Sequence, residues 1–208
     1  MDLFNTSCKK NILPFDGITN YHGKFLNSNQ CAFFYNKLMD TIDWKNDEAI
    51  IFGKKIITKR KVAWYGESKF SYTYSKITKT ASLFTKELLD LKEIIEEESN
   101  ATYNSCLLNL YHNGQEGMSW HSDGEKVLKK NGEIASVTLG AERKFSFKHK
   151  ETKQKVDILL ENGSLLVMKD VTQTHWLHRL PPTKKVNSPR INLTFRTIAV
   201  SYTHLTLP

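Results

Sequence analysis

The segment RINLTFR, residues 190–196, alternates polar and apolar side chains along its whole length. Successive side chains of a β-strand point to opposite faces, so its three apolar side chains share one face that must be buried. The opposite face carries Arg190, Asn192, Thr194 and Arg196. At the edge of a sandwich this face would lie in water. In a barrel it would turn two guanidinium groups inwards, where they need an anionic guest because an unpaired buried charge is costly.

Short segments of similar character precede this one. The predicted strands are 106–111, 134–139, 144–148, 156–160, 164–168, 175–179 and 190–197. Between two of them the dipeptide Asn162-Gly163 is typical of a two-residue hairpin turn. Short strands at this close spacing predict an antiparallel sandwich, barrel or jelly roll.

The first hundred residues carry two helix patterns. Ser28 is predicted to cap the first, whose apolar side chains between Cys31 and Leu38 share one face. The second is predicted over residues 85–99, with Leu88, Leu91 and Ile95 facing inwards. We therefore predict an α+β fold in which these helices pack on a β core.

Residues 50–75 combine basic and aromatic side chains. Residues 50–57 are typical of two strands joined by a turn at Gly53, and three basic residues follow at 59–61. Phe70, Tyr72 and Tyr74 then alternate along a further strand pattern. Cations neutralise phosphate and flat rings stack on bases, so the segment suits a nucleic-acid surface. A twisted hairpin whose aromatic rings pack on the core is an equal alternative.

Composition narrows the class of protein. The 208 residues carry 30 Lys and Arg against 22 Asp and Glu, a net charge of +8, which favours an anionic partner such as nucleic acid or acidic lipid. The 3 cysteines form no C-x-x-C pair, which excludes a disulfide scaffold or a cysteine-type zinc site. No apolar run approaches the roughly 18 residues that a membrane span needs. The N-terminus lacks the order of a signal peptide.

A metal site is suggested by His121-Ser122-Asp123, because side chains two apart on an extended segment share a face. A third ligand could come from His175 or His178, of which only one can serve if both lie on the same strand. Two histidines and one carboxylate leave three positions open on an octahedral iron. A 2-oxo acid can chelate through two of these, and its far carboxylate then requires a cation such as those of residues 190–196.

The motifs HSD (121–123), IASVTLGA (134–141), HWLHRLP (175–181) and PRINLTFR (189–196) resemble the AlkB family of iron(II)- and 2-oxoglutarate-dependent dioxygenases. The resemblance runs from about residue 52 to 198. It implies a double-stranded β-helix (jelly-roll) core that binds Fe(2+), 2-oxoglutarate and O2. The implied iron ligands, which are also the catalytic residues, are His121, Asp123 and His178. The implied 2-oxoglutarate contacts are Asn109, Tyr111, Arg190, Thr194 and Arg196.

The first half of the chain is similar to the β-hairpin nucleotide-recognition lid of the duplex-DNA-repairing members. By this resemblance Phe52 wedges into the base stack, Tyr72 and Tyr74 hold the flipped base, and Glu125 reads its exocyclic amine. Further substrate contacts are expected at Gly53, Lys54, Arg60 and Arg143, the last beside Lys148, His149 and Lys150 at the phosphates. Gly124 departs from the pattern, because relatives often carry another acidic residue there.

The implied activity is oxidative demethylation of 1-methyladenine or 3-methylcytosine in DNA, with release of formaldehyde and succinate. The alternatives are an RNA demethylase of the same chemistry and a non-catalytic nucleic-acid-binding module. We expect one catalytic domain over 1–208, with helices and lid in 1–99, the jelly roll in 100–198 and a non-native tail in 199–208. We also expect a monomer that binds alkylated DNA and no membrane, in the cytoplasm, or in the nucleus of a eukaryotic source.

Overall fold

The computed structural model describes residues 10–51, 54–74 and 77–199. In chain order the elements of these residues are β1 (Ile18–Lys24), α1 (Ser28–Thr41), β2 (Lys45–Ile51), β3 (Lys54–Gly66), β4 (Ser71–Tyr74), β5 (Ile77–Thr80), β6 (Ser82–Leu83), α2 (Lys86–Ser99), β7 (Ser105–Tyr111), β8 (Met118–His121), β9 (Ile134–Gly140), β10 (Arg143–His149), β11 (Lys155–Leu160), β12 (Ser164–Lys169), α3 (Thr172–His175), β13 (Trp176–Leu180) and β14 (Arg190–Arg196).

Two facing sheets form the jelly roll that the resemblance implies. The larger has the strand order β1-β12-β9-β14-β7-β3-β2, with β6 paired to β3, and the smaller has the order β11-β10-β13-β8. The strand β14 lies between β9 and β7 and is antiparallel to both. It is therefore a central strand, and its polar face lines the space between the sheets while Ile191, Leu193 and Phe195 are fully buried on the other side.

The two long helices cover the outer face of the larger sheet. In α1, Phe34 and Leu38 are buried in the same apolar cluster as Leu139 and Ile191 of the sheet. In α2, Leu88, Leu91 and Ile95 join this cluster, as predicted. Covering one face of a sheet with amphipathic helices removes its apolar side chains from water. The prediction of helices on a β core is confirmed.

The first helix begins one residue earlier than its predicted cap. Asn27, not Ser28, is the N-cap, and its side chain accepts the backbone N–H of Gln30 at 3.0 Å. The side chain of Gln30 in turn accepts the backbone N–H of Asn27 at 2.9 Å. This reciprocal capping box satisfies two backbone donors at once, which Ser28 could not do from inside the first turn.

The apolar filling between the sheets is confined to one end. There Leu166 and Met168 of the larger sheet pack with Phe147, Leu160 and Trp176 of the smaller. The other end is lined by the polar face of β14 and encloses a cavity. The packed end thus fixes the spacing of the two sheets around that cavity.

The prediction of a hairpin at Asn162-Gly163 is wrong. The strands on either side, β11 and β12, belong to different sheets, so the dipeptide carries the chain from one sheet to the other. Gly163 has a φ of +75° and its N–H donates to the Thr138 carbonyl at 2.8 Å. The side chain of Asn162 accepts the N–H of Gly140 at 2.9 Å. Asn and Gly both tolerate a left-handed backbone, so this dipeptide suits a connection between two sheets as well as a hairpin turn.

Several elements differ from the predicted strands. The strands β1 and β8 were not predicted, and the segment 175–179 begins as a helical turn that ends at His175. The predicted pairing around residues 50–57 is present, since Ile50 faces Lys55 and Ile51 faces Lys54. Among the described residues, no helix is both long and apolar enough to cross a membrane.

Candidate active site

The inner cavity is the space between the two sheets at their polar end, with a volume of about 150 Å³. The larger sheet contributes the polar side chains of β14 and every second side chain of β7 from Leu107 to Tyr111. The smaller sheet contributes histidine and apolar side chains from β8, β10 and β13. The lining includes Asn109, Tyr111, Met118, His121, Asp123, Glu125, Phe145, His178, Arg190, Asn192, Thr194 and Arg196.

Two histidines and one aspartate meet at one wall of the inner cavity. His121 on β8 and His178 on β13 are directly opposite each other in the antiparallel ladder, and their ring centroids are 4.3 Å apart. The Nε2 atoms of the two rings lie 3.8 and 3.9 Å from Oδ1 of Asp123, which follows β8. All three offer a ligand atom to one point. His175 lies outside this group, so the structure selects His178 from the two candidates.

The protonation states of this triad suit a divalent metal. Nδ1 of His121 lies 2.8 Å from the Ser119 carbonyl, which can only accept, so Nδ1 carries the proton and Nε2 presents a lone pair. Burial lowers the pKa of His178 to about 4, and the Asp123 carboxylate only partly opposes this shift, so that ring is neutral at pH 7. Two imidazoles and a carboxylate are the donor set of non-haem iron(II) sites.

Arg196 keeps Asp123 ionised. Burial alone raises the pKa of the Asp123 carboxyl, but the neighbouring positive charge, chiefly that of the Arg196 guanidinium, lowers the pKa below its ordinary value. Nη2 of Arg196 is 2.8 Å from Oδ2 of Asp123. The backbone N–H of Asp123 also donates to the side chain of Gln173 at 2.8 Å. The carboxylate is thus held in charge and in position before any metal binds.

Arg190 presents a buried cation on the opposite side of the inner cavity. Its side chain is 2% exposed, and Nη2 donates to Thr138 Oγ1 at 2.8 Å and to Asn192 Oδ1 at 2.6 Å. Among the described residues, no carboxylate forms an ion pair with it. Burial lowers the pKa of Arg190 to about 10, which still leaves the guanidinium charged at pH 7. A buried cation without a counter-charge is a site for an anion, and a forked donor suits a carboxylate.

The neighbours of Arg190 complete a polar wall. The guanidinium lies 5.6 Å from the ring centroid of Tyr111. Asn109 is buried, and its side-chain oxygen has no hydrogen-bond partner. Thr194 accepts a hydrogen bond from the Asn192 side chain at 2.9 Å. A buried polar atom without a partner is costly, so this wall is completed by a polar guest.

An outer groove of about 780 Å³ adjoins the inner cavity. The two spaces share Leu107, Asn109, Met118, Glu125 and Arg196, so the groove leads to the triad. Glu125 is partly exposed at this junction, 3.7 Å from Arg196. The outer part of the groove is lined by side chains of β2, β3 and β5, including Asp47, Arg60 and Lys79.

Comparison with known proteins places this site in a family. The sequence pattern of the 2OG-Fe(II) oxygenase superfamily matches residues 18–196, which include every residue of the triad and the Arg190 wall. The chain belongs to the 2OG-Fe(II) oxygenase superfamily. Its cofactor and co-substrates are therefore iron(II), 2-oxoglutarate and dioxygen, and the His-Asp-His donor set of the inner cavity fits the iron.

The relatives are consistent with the AlkB resemblance. The DNA oxidative demethylase ALKBH2 of Bos taurus is 38% identical over 165 residues, which are 76% of this chain and 59% of that protein. The human alpha-ketoglutarate-dependent dioxygenase alkB homolog 3 is 36% identical over 184 residues, which are 84% of this chain and 64% of that protein. The chain thus spans about three fifths of the length of these relatives. The solved structure of OsALKBH1 has a TM-score of 0.60 at 15% identity, covers 89% of this chain and 98% of its own, and supports the fold.

Some residues of this oxygenase site were missed from the sequence. The side chain of Asn192 bridges Arg190 and Thr194. On β9, Thr138 accepts a hydrogen bond from Arg190, and Ser136 donates one to Asn192. The spacing of Arg190, Asn192 and Thr194 at every second position already placed Asn192 on the polar face. Ser136 and Thr138 gave no local signal, because only the β9–β14 register brings them there.

The assignment of Arg143 to phosphate is wrong. Its side chain is 1% exposed, and its guanidinium donates to the carbonyls of Asn113, Gly114, Glu116 and Pro181 at 2.9–3.3 Å. As the first residue of β10 it points between loops, where carbonyl oxygens of two segments need a donor. Arg143 therefore ties these loops together and is too deeply buried to contact a substrate phosphate.

The flanking basic residues are only partly free for phosphate. His149 is buried between rings, 5.0 Å from both Phe15 and Trp176, so the phosphate role predicted for it is also wrong. Lys148 lies 4.5 Å over the ring of Trp120. Lys150 donates to the Gln173 carbonyl at 2.9 Å. Of these residues, Lys148 and Lys150 remain partly exposed.

Part of the predicted lid cannot be placed. Phe52 and Gly53 lie outside the described residues. Lys54 belongs to β3, and Tyr72 and Tyr74 belong to β4, but their side chains also lie outside the described part. Arg60 lines the outer groove, where Asp47 forms an ion pair with it.

A second group of ligand-type side chains is chemically unsuited to a metal. Asp16, His149 and His175 lie close enough together to share an ion. However, Nδ1 of His149 accepts the backbone N–H of Thr152 at 3.1 Å, so the proton of the neutral ring is on Nε2. Nε2 faces Asp16 at 3.4 Å. The His149 nitrogen that faces Asp16 therefore has no lone pair for a metal. The group is an Asp16–His149 pair with the ring of His175 stacked beside it.

Proposed function

We propose that this protein oxidatively demethylates N-alkylated bases in DNA, with 1-methyladenine and 3-methylcytosine as substrates. The observation that carries the proposal is the placement of two groups across one cavity. A His-Asp-His triad faces a buried arginine that has no carboxylate partner among the described residues, and a groove of about 780 Å³ lined with charged side chains leads to the triad. The relatives named DNA oxidative demethylase support the substrate class.

Iron(II), 2-oxoglutarate and dioxygen, when bound, supply hydroxylation of the N-methyl carbon, with succinate and carbon dioxide as co-products and loss of formaldehyde from the hydroxymethyl group. Nε2 of His121, Nε2 of His178 and the carboxylate of Asp123 would hold the iron. Arg196 orients Asp123 and stabilises its charge. Because Asp123 is ionised and Nδ1 of His121 faces a carbonyl oxygen in advance, little reorganisation of these two ligands would accompany binding.

The chain holds 2-oxoglutarate on the opposite wall. Arg190 receives the far carboxylate, which supplies the counter-charge that its guanidinium lacks. Tyr111, Asn109 and Thr194 surround that guanidinium or present polar atoms beside it. Arg196, 2.8 Å from the iron-ligand candidate Asp123, would be the cation for the other carboxylate of the co-substrate. The two arginines therefore hold the two ends of one dicarboxylate.

The substrate base enters through the outer groove. A methyl group on the Watson–Crick edge is unreachable inside a stacked duplex, so the base must be flipped. Glu125, at the junction of groove and cavity, accepts a hydrogen bond from the exocyclic amine of the base. Phe52 fills the space left in the stack, and Tyr72 and Tyr74 hold the flipped ring. Gly53, Lys54 and Arg60 contribute to the same binding surface.

One assay tests the proposal. The purified protein is given iron(II), ascorbate and 2-oxoglutarate with single-stranded DNA, duplex DNA or RNA that carries one 3-methylcytosine, and formaldehyde and repaired base are measured. We expect turnover on DNA that requires both iron and 2-oxoglutarate and is abolished by Asp123→Ala. Turnover only on RNA would redirect the substrate assignment. Binding to DNA without turnover on any substrate would show a non-catalytic module.

A further inference from the structure

The strand pair β2–β3 is irregular where it enters the outer groove. Asn46 faces Lys61 and Glu48 faces Ile57, so Asp47 alone stands opposite three residues of β3. Side chains satisfy the backbone groups left over: Asn46 donates to the Thr58 carbonyl at 3.0 Å, and Thr58 donates to the Arg60 carbonyl at 3.0 Å. Irregularities of this kind turn side chains in a new direction beside active sites. Here Asp47 and Arg60 are both turned into the groove.

Arg60 lies close to the passage between groove and inner cavity, on the groove side of Arg196, which lines both spaces. Nη1 of Arg60 lies 3.2 Å from the sulfur of Met118, a residue that lines both spaces. Its guanidinium carbon is 6.0 Å from the ring centroid of Tyr111. A base that reaches the triad passes this guanidinium at short range. The charge of Arg60 therefore affects the binding energy of a substrate base in the groove.

Asp47 compensates that charge. One of its carboxylate oxygens binds Nη2 of Arg60, and the side chains of the pair are 16% and 10% exposed. The second oxygen lies 3.5 Å from Nζ of Lys79, which is much more exposed. Among the described residues that line the outer groove, the acidic ones are Asp47 and Glu125. Since Glu125 is beside Arg196, Asp47 is the acid that compensates Arg60. The other cations of the outer groove, Lys45 and Lys79, are exposed to water.

We propose that Asp47 determines the charge selectivity of the groove, by cancelling the charge of Arg60 so that cationic bases can pass. This inference rests on the proposed function. Methylation of adenine at N1 or of cytosine at N3 leaves a positive ring at neutral pH, whereas N3-methylthymine and N1-methylguanine are neutral. Without Asp47, a cationic ring would meet an uncompensated guanidinium in a partly buried groove, where like charges repel more strongly than in water. A neutral ring would meet no such barrier.

The experiment compares two single-stranded oligonucleotides that differ only in the lesion, 3-methylcytosine or 3-methylthymine. Values of kcat/KM are measured for the unmodified protein and for Asp47→Asn. We expect Asp47→Asn to lower the ratio of 3-methylcytosine to 3-methylthymine turnover about fivefold or more. A general loss of lid structure would lower both values together and leave the ratio unchanged, and that result would overturn the proposal.

Three further variants separate charge from structure. Asp43→Asn makes the same change just before β2, where the carboxylate is 73% exposed and pairs with Lys45, and it should leave the ratio unchanged. Asp47→Asn combined with Arg60→Gln should restore the ratio, because the uncompensated charge is then gone. Lys79→Gln breaks the other contact of Asp47 and should not lower the ratio. A fall in Lys79→Gln equal to that in Asp47→Asn would assign the effect to the contact with β5 and overturn the proposal. Absence of turnover on every substrate by the unmodified protein would instead contradict the proposed function.

Discussion

The guanidinium of Arg196 lies 2.8 Å from the carboxylate of Asp123, and this ion pair decides whether the metal site is ready at neutral pH. Asp123 is buried, and burial favours the protonated acid. The positive charge of Arg196 is the main interaction that reverses this preference. A protonated carboxyl binds a divalent metal poorly, so the affinity of the triad depends on a residue that is not a ligand.

We therefore expect Arg196→Gln to weaken metal binding, and to do so more at pH 6 than at pH 8. Without the guanidinium, burial raises the pKa of Asp123, so protons compete with the metal over a pH range in which the unmodified site stays ionised. The expected loss is about 10- to 100-fold at pH 6, as for other residues that support metal ligands. Anaerobic titration with Co²⁺ or Mn²⁺ measures it without any need for turnover. Equal affinities at both pH values would contradict this role.

Arg190→Met tests the second half of the site. The buried guanidinium has hydroxyl and amide partners but, among the described side chains, no counter-charge, and replacing such a group by an apolar one is often neutral or stabilising. The variant should therefore keep its melting temperature in the absence of ligand. It should lose the rise in melting temperature that 2-oxoglutarate with Mn²⁺ gives the unmodified protein. A normal rise would show that another residue holds the far carboxylate.

Arg143→Met is the control for Arg190→Met, and here we expect a loss of stability. Both arginines are buried, but Arg143 donates to four carbonyl oxygens from two loops. Removing it leaves buried acceptors without a donor, at a cost of about 1–3 kcal/mol for each unsatisfied group that water cannot reach. Urea unfolding should show a loss of at least about 2 kcal/mol. A variant as stable as Arg190→Met would mean that water or another donor replaces the guanidinium.

Tyr103 should make the protein sensitive to alkali. Burial raises the pKa of this phenol to about 12, and its hydroxyl group donates to Ser99 at 3.1 Å. In the unfolded chain the phenol ionises near its ordinary pKa of 10.0. Above pH 10 the unfolded state therefore loses a proton that the folded state keeps, and stability falls by up to about 3 kcal/mol as the pH passes 12.

Tyr103→Phe isolates this contribution. The variant has no phenol to ionise, so its stability should fall less between pH 8 and pH 11. At pH 8 it should be less stable than the unmodified protein by about 1 kcal/mol, the usual worth of one hydrogen bond. At pH 11 the difference should shrink or vanish. If the urea midpoints of the variant and the unmodified protein differ by the same amount at every pH, Tyr103 is not the source of the loss of stability at high pH.

The polar lining of the site could be predicted from the sequence better than the pairing and connection of the strands. Alternation along 190–196 predicts the two faces of β14, and only the pairing with β9 and β7 shows that the polar face is inside. The triad could be anticipated from the HSD motif and the later histidines, although β8, which carries His121, is too short and too polar to predict. Arg143 was assigned to phosphate because its charge was visible in the sequence and its four carbonyl partners, from distant loops, were not.

The turn at Asn162-Gly163 shows the same limit and gives the last prediction. Its composition correctly indicates left-handed backbone but does not say which strands it joins. Gly163→Ala should destabilise the protein for two reasons. A φ of +75° costs a residue with a Cβ about 1–2 kcal/mol, and that Cβ would lie 2.4 Å from the sulfur of Cys31 under helix α1. Displacing a buried neighbour costs typically about 1–3 kcal/mol more.

Gly23→Ala separates the two costs. Gly23 has a φ of +67°, and a Cβ added there meets nothing within 4 Å. It should therefore show the backbone cost alone, in urea unfolding measured side by side with Gly163→Ala. Combining Gly163→Ala with Cys31→Ala removes the sulfur and should recover part of the extra loss, because the overlap is with that side chain. If Gly163→Ala and Gly23→Ala are equally destabilised, the chain at the sheet crossing relaxes freely and is not packed against α1.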